Sequence, residues 1–191
     1  MNTQPLILRP LSDEQQQRVV AQTQHYLQKA SQLYAMKDKP VEIIFNLKGR
    51  SAGMYRVRTH RKGLFSKTER EIRYNPLIFS KYFDDNFATT IPHEVAHYVT
   101  DMIYGLKNIR PHGKEWKAVM QSFGADPSVT ADYDLSGIPL KKQGLHPYRC
   151  NCRDHQLTTI RHNRVVNQGN QYYCKLCKAK LRYRQAPVTN S

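Results

Sequence analysis

Along the first half of the chain the apolar positions change period. From Ser12 to about Met36 they fall at Val19, Val20, Leu27, Ala30, Leu33 and Tyr34, a helical stripe. Ser12 as N-cap, Gln15 three residues on and the acids Asp13 and Glu14 in the first turn mark its start, so a helix covering one face of the core is predicted. Val41 to Leu47 then turns to β-branched and aromatic residues. Tyr55, Val57 and Thr59 alternate with Arg56, Arg58 and His60, and Glu71 to Tyr74 gives a third short run. Alternation at period two is the mark of half-buried strands. With Gly49, Gly53 and Gly63 as punctuation, the economical reading is a small antiparallel sheet.

Helical spacing returns with Ile91, Val95, Val99, Met102 and Ile103. A second helix is predicted to start at Thr90-Ile91-Pro92, where Thr can cap and Pro fits the first turn, and to stop at Gly105. A third spans about Lys114 to Phe123 and ends at Gly124. The stretch 136–144 reads as a linker. The fold class is therefore α+β, with a main domain over 1–140 and a small one over 141–191.

Composition narrows the class. A mean hydropathy of -0.71 over 191 residues, with no run near the roughly 18 apolar residues of a membrane helix, excludes a spanning segment. The first ten residues lack the charged start, apolar stretch and cleavage site of a secretory signal, so a cytoplasmic address is expected. The formal charge of +15 favours a polyanionic partner such as nucleic acid. It is unevenly spread: residues 141–191 carry eleven Lys and Arg against the single Asp154.

The chemistry is concentrated in His93-Glu94-Val95-Ala96-His97. Residues four apart share one helix face, so His93 and His97 can chelate one ion, and imidazole nitrogen suits zinc. Glu94 points to the side of that pair, where it can take a proton from a metal-activated water. A catalytic zinc normally has three protein ligands. The position six residues after the second His, used by one large metalloprotease group, is Ile103 here, which excludes that pattern. Asp101, one turn beyond His97, can act as a ligand or as an orienting group; His112, just before the third helix, is the better third ligand. Tyr133 and Arg110 are conceivable donors to an oxyanion, with nothing to assign either.

These segments, Thr90-Ile91-Pro92-His93-Glu94-Val95-Ala96-His97, Tyr104-Gly105 and His112-Gly113-Lys114-Glu115-Trp116, together with Arg70-Glu71-Ile72-Arg73-Tyr74-Asn75-Pro76-Leu77, resemble the SprT family of bacterial proteins, relatives of the eukaryotic DNA-dependent protease Spartan. The resemblance implies a compact zincin-like metalloprotease fold, His93, His97 and His112 as zinc ligands and Glu94 as the catalytic residue. It also implies, as a hypothesis, action on proteins crosslinked to DNA.

All four cysteines lie in the basic tail, as Cys150-Asn151-Cys152 and Cys174-Lys175-Leu176-Cys177. The layout is that of a zinc ribbon, each pair in a turn at the end of a short hairpin, holding a second, structural zinc. His155 can substitute for Cys150 or Cys152 as a ligand. Arg149, Arg153, Arg161, Arg164, Lys178, Arg182 and Arg184, interleaved with tyrosines, are candidate contacts to DNA, including single strands on which tyrosines stack. The function expected is a zinc metallopeptidase acting on DNA-attached proteins. The alternatives are a nucleic-acid-binding zinc protein without proteolytic activity and a zinc hydrolase of a non-peptide substrate.

Overall fold

The computed structural model describes residues 8–37, 39–63, 65–128, 132–140 and 144–184. They divide into two compact units, 1–140 and 141–191. The predicted linker falls partly outside the described residues, and its first part is not a free tether, because Ile138 is buried.

In the first unit, α1 (Asp13–Tyr34) starts where the capping box places it: Ser12 Oγ accepts from Gln15 N, and Ser12 N donates to the Gln15 side chain. Val19 and Ala30 are fully buried, whereas Leu33 lies outside the core. Three strands follow, β1 (Glu42–Ile44), β2 (Gly53–Lys62) and β3 (Phe65–Tyr74), in the order β1-β3-β2. β2 and β3 form an antiparallel hairpin, but β1 pairs with β3 in parallel. The sheet is therefore mixed rather than antiparallel, because the chain between β1 and β2 crosses β3 and lands on its far side.

A short helix, α2 (Pro76–Lys81), was not anticipated from the apolar pattern. Its signal is local: Pro76 at the first helical position and the Asn75 side chain accepting from Leu77 N and Ile78 N. α3 (Phe83–Tyr104) begins well before the predicted Thr90, and Pro92 lies inside it. Proline removes one helical hydrogen bond and crowds the preceding turn. Here Asp84 and Asp85 favour the N-terminus, and the buried Asn86 side chain donates to Ile78 O and Tyr82 O. Thr90 donates to Asn86 Oδ1, so it braces the helix interior and is not its cap.

Ile91, Val95 and Val99 are fully buried as predicted, Met102 is half-buried and Ile103 is exposed. They pack with Ile72, Tyr74 and Phe79 and with Trp116, Val119, Met120 and Phe123 of α4 (Lys114–Phe123). Helices on a small sheet around this one core make the unit α+β.

In the second unit, β4 (Leu145–Arg149) lies between β5 (Asp154–Thr158) and β6 (Arg182–Tyr183), antiparallel to both. Cys150 and Cys152 occupy the β4–β5 turn. Cys174 and Cys177 sit in a second, tighter turn closed by Cys174 N to Ala179 O at 2.8 Å. Between them runs α5 (Thr159–Gln168), also unanticipated; none of its residues is buried, so no apolar stripe announces it. Among the described residues the buried core here is Tyr148, Cys150, Leu157, Cys174 and Leu181, with Val165, Tyr172 and Ala179 packed against it, far below what a free-standing fold needs without a staple. No helix among the described residues is long and apolar enough to cross a membrane.

Candidate metal centre

His93 and His97 project from successive turns of α3. Gly105, in the left-handed region at φ 75°, ends that helix and reverses the chain. His112 follows with φ 56°, costly for a residue with a Cβ. The three Nε2 atoms then meet: 3.2 Å between His93 and His97, 3.0 Å between His97 and His112, and 3.0 Å between His112 and His93. Tetrahedral bonds of 2.0 to 2.1 Å from zinc would set ligand nitrogens about 3.3 Å apart, so the donor triangle is close to the size the ion requires. Burial pushes His93 down to about 4 and His97 to about 3, and lowers His112 as well. All three are neutral at pH 7, with lone pairs to offer.

Trp116, buried on α4, stands against all three imidazoles, with ring centroids 4.7, 5.7 and 4.8 Å from His93, His97 and His112. Its indole N–H donates to the His93 carbonyl at 3.3 Å. Sequence reasoning used Trp116 only as a motif letter; here it is the wall that fixes the rings.

Glu94 is only 6% exposed. Its Oε2 accepts the backbone N–H of Tyr55 at 2.6 Å, and burial pushes its pKa up to about 8. Tyr55 is itself held at its other end: its hydroxyl donates to Asp101 Oδ2 at 2.7 Å, and Arg70 Nε donates to the same oxygen at 3.0 Å. Asp101 thus lies outside the imidazole cluster and fixes β2 against α3. Gly53 is required beside it, because a Cβ there would stand 2.6 Å from Glu94 Oε1 and 2.7 Å from Thr90 Cγ2.

His93, Glu94, His97, His112 and Trp116 line an open cavity of about 830 Å³, with Arg110 and Tyr133 on its rim. Tyr133 already donates its hydroxyl proton to Asp85 and stacks on Tyr82 at 4.6 Å. Its pKa is pushed up to about 12, by burial first and the Asp85 bond second.

The four cysteines form the other donor cluster. They are free thiols, and their Sγ atoms all lie within 4.8 Å of one another. Cys150 to Cys152 is 3.4 Å and Cys152 to Cys174 is 3.7 Å, close to the roughly 3.8 Å that zinc–sulfur bonds of 2.3 Å imply. Backbone N–H groups of Cys177 and Leu176 draw the Cys174 thiol down. His155 stands beside the cluster, its Nε2 3.2 Å from Cys150 Sγ. Among the candidate DNA contacts, Arg149, Arg182 and Arg184 come together with Lys180 around one cavity on β4 and β6. Arg161 and Arg164 are instead on α5, Arg161 lying 5.8 Å from the Tyr172 ring, and Arg153 and Lys178 flank the cysteine turns.

A family model described as the SprT-like family matches residues 23–134. Curated relatives named Protein SprT include that of Vibrio parahaemolyticus, 34% identical over 74% of this chain and 77% of its own. That of Serratia proteamaculans is 31% identical over 88% and 91%, and that of Glaesserella parasuis is 30% identical over 86% and 96%. No solved structure matches.

Proposed function

The chain belongs to the SprT-like family, and from that premise we propose that it is a zinc-dependent metallopeptidase directed to proteins carried on DNA. The observation that carries this reading is the convergence of three neutral imidazoles beside a buried carboxylate in one open cavity. His93, His97 and His112 would hold the catalytic zinc, three protein ligands being the complement that leaves room for chemistry. When bound, the ion supplies Lewis acidity to a water molecule and to the scissile carbonyl. With the charge of a bound ion offsetting the burial that raises its pKa, Glu94 accepts the water's proton on Oε1, the oxygen that Tyr55 N–H leaves free, and returns it to the departing amine. Trp116 keeps the imidazoles in register while this happens.

Cys150, Cys152, Cys174 and Cys177 would hold a second zinc that is structural: a closed four-thiolate set has no open position, and this unit lacks a core large enough to fold on apolar burial alone. Four free thiols fit a reducing, cytoplasmic setting. The charge of the second unit supports DNA as the partner. A protein attached to a strand gripped there is presented to the peptidase unit at high effective concentration, so selectivity comes from tethering.

The test is cleavage of a protein–DNA conjugate against the same protein without DNA, each with wild type and Glu94→Gln, and DNA alone as a further arm. Wild type should cleave, faster when DNA is attached, and the variant should not. Equal cleavage in all arms, or none with zinc bound, contradicts the reading; hydrolysis of DNA alone would indicate a different bond.

A further inference from the structure

The β2–β3 hairpin is longer than the fold needs. Its third strand, β1, covers only Glu71, Ile72 and Arg73. Beyond that the two strands continue paired from Arg58 opposite Glu69 to Lys62 opposite Phe65. Every described residue from Arg58 to Lys62 and from Phe65 to Thr68 is exposed. A two-stranded ribbon with neither face covered gains little from burial, so its length calls for a role outside the core.

Its chemistry is directional. Lys67 is 2.8 Å and His60 is 3.4 Å from Glu69, the ribbon's one acid. Arg58, Arg61 and Lys62 have no acidic partner among the described residues. Lysines on an edge strand can serve merely to repel other edges, but that role leaves an exposed aromatic ring at the ribbon's end unaccounted for. Phe65 is 84% exposed.

We infer that this ribbon is a docking element for duplex DNA, entering the major groove with Arg58, Arg61 and Lys62 on the flanking phosphates and Phe65 toward the base edges. The dimensions agree. Strands about 4.8 Å apart, with five residues each rising about 3.3 Å, make a ribbon some 16 Å long and narrow enough with its side chains for a groove about 12 Å wide. Two-stranded ribbons are among the elements that groove admits, and an apolar ring there meets thymine methyl groups. The deep, narrow major groove of A-form RNA does not admit one. A single aromatic ring also gives no series of stacking platforms for an unpaired strand. The inference shares with the proposed function only its DNA partner and does not depend on peptide cleavage.

The test uses the full-length, zinc-loaded chain carrying Glu94→Gln, so that self-cleavage cannot intervene, and fluorescence anisotropy on a labelled 25-base-pair DNA duplex over a series of salt concentrations. Arg58→Gln, Arg61→Gln and Lys62→Gln together should weaken duplex binding on the order of tenfold or more and reduce the log–log salt slope by about 2 to 3, near 0.9 for each phosphate no longer neutralised. Phe65→Ser should weaken binding without changing the slope. A comparison triple of exposed cations elsewhere in the same unit, Arg9→Gln, Lys37→Gln and Lys48→Gln, should have a much smaller effect, and duplex RNA should compete poorly. Unchanged duplex affinity in the ribbon triple, or an equal loss in the comparison triple, overturns the inference while leaving DNA association intact. If the starting protein binds no DNA at all, both the ribbon and the DNA part of the proposed function fall, and the peptidase assay stands apart from either.

Discussion

Gly53→Ala is the smallest change that should separate metal binding from proton transfer. The added Cβ would sit 2.6 Å from Glu94 Oε1, 2.7 Å from its Cγ and 2.7 Å from Thr90 Cγ2, where carbon contacts settle at about 3.5 to 4.0 Å. About 1 Å must open between β2 and α3. Neither side yields easily: Thr90 is buried and bonded to Asn86, and β2 is pinned by Tyr55 to Asp101. The softest response is for Glu94 to swing away, breaking the 2.6 Å bond from Tyr55 N–H. Overpacking of this kind costs about 1 to 3 kcal/mol. A carboxylate displaced by about 1 Å from its water costs on the order of a hundredfold in kcat. None of the three histidines is touched. The assay is conjugate cleavage with zinc content and a thermal melt on the same preparation. Gly63→Ala serves as control for lost stability alone: a Cβ there meets nothing within 4 Å, and the backbone strain of a side chain at φ 59° should lower the melt without reaching Glu94. A Gly53→Ala protein with full zinc and wild-type kcat would refute the argument that close packing places Glu94.

Tyr55→Phe removes the hydroxyl that joins Asp101 and leaves the backbone N–H in place, so it should cost about 1 kcal/mol of stability and lower kcat more than it raises KM; a change confined to KM would count against a positioning role. In metal-stripped protein, Glu94 has a folded pKa near 8 against an ordinary value of 4.5. Its stabilising contribution is then complete below pH 4.5 and lost as pH rises through 8. The melting temperature of Glu94→Gln should therefore draw ahead of wild type across that window, and a constant gap from pH 4.5 to 8 would deny the burial effect. The depressed histidines add their own slope from pH 6.5 down to about 3, overlapping the lower part of that window, but in both proteins alike, so they cancel in the comparison. His112→Ala should lower bound zinc, read by elemental analysis, from about two ions per chain to about one, and retention of both would remove His112 from the ligand set.

The parts of the fold legible in the sequence are those encoded within a few residues. Ser12 and Gln15 cap a helix by themselves, and the four-residue spacing of His93 and His97 follows from helical pitch. What was not legible depends on distant contacts or on polar surface. The start of α3 moved from Thr90 to Phe83 because Asn86 reaches back to α2, a contact no periodicity records. β1 runs parallel to β3 because of a crossover, and strand composition carries no direction. α5 turns only Thr159, His162 and Val165 inward, each half-buried, a face too polar for the apolar pattern to reveal. At the site, the motif pointed to the role proposed for Glu94 but not to its support: Gly53, Tyr55, Asp101 and Arg70 come from three separate segments, and their pairing is visible only when β2 lies on α3. Trp116 stood in view in its motif, yet nothing in one sequence says that its ring faces three imidazoles.

The central claim is that Glu94 moves a proton at a zinc held by His93, His97 and His112. Its most direct measurement is the rate of conjugate cleavage by Glu94→Gln beside wild type, with zinc counted in the same samples. Equal zinc in both, with cleavage by the variant slower by about 10² to 10⁴, is the result predicted from loss of a general base. Equal zinc with equal cleavage would contradict it.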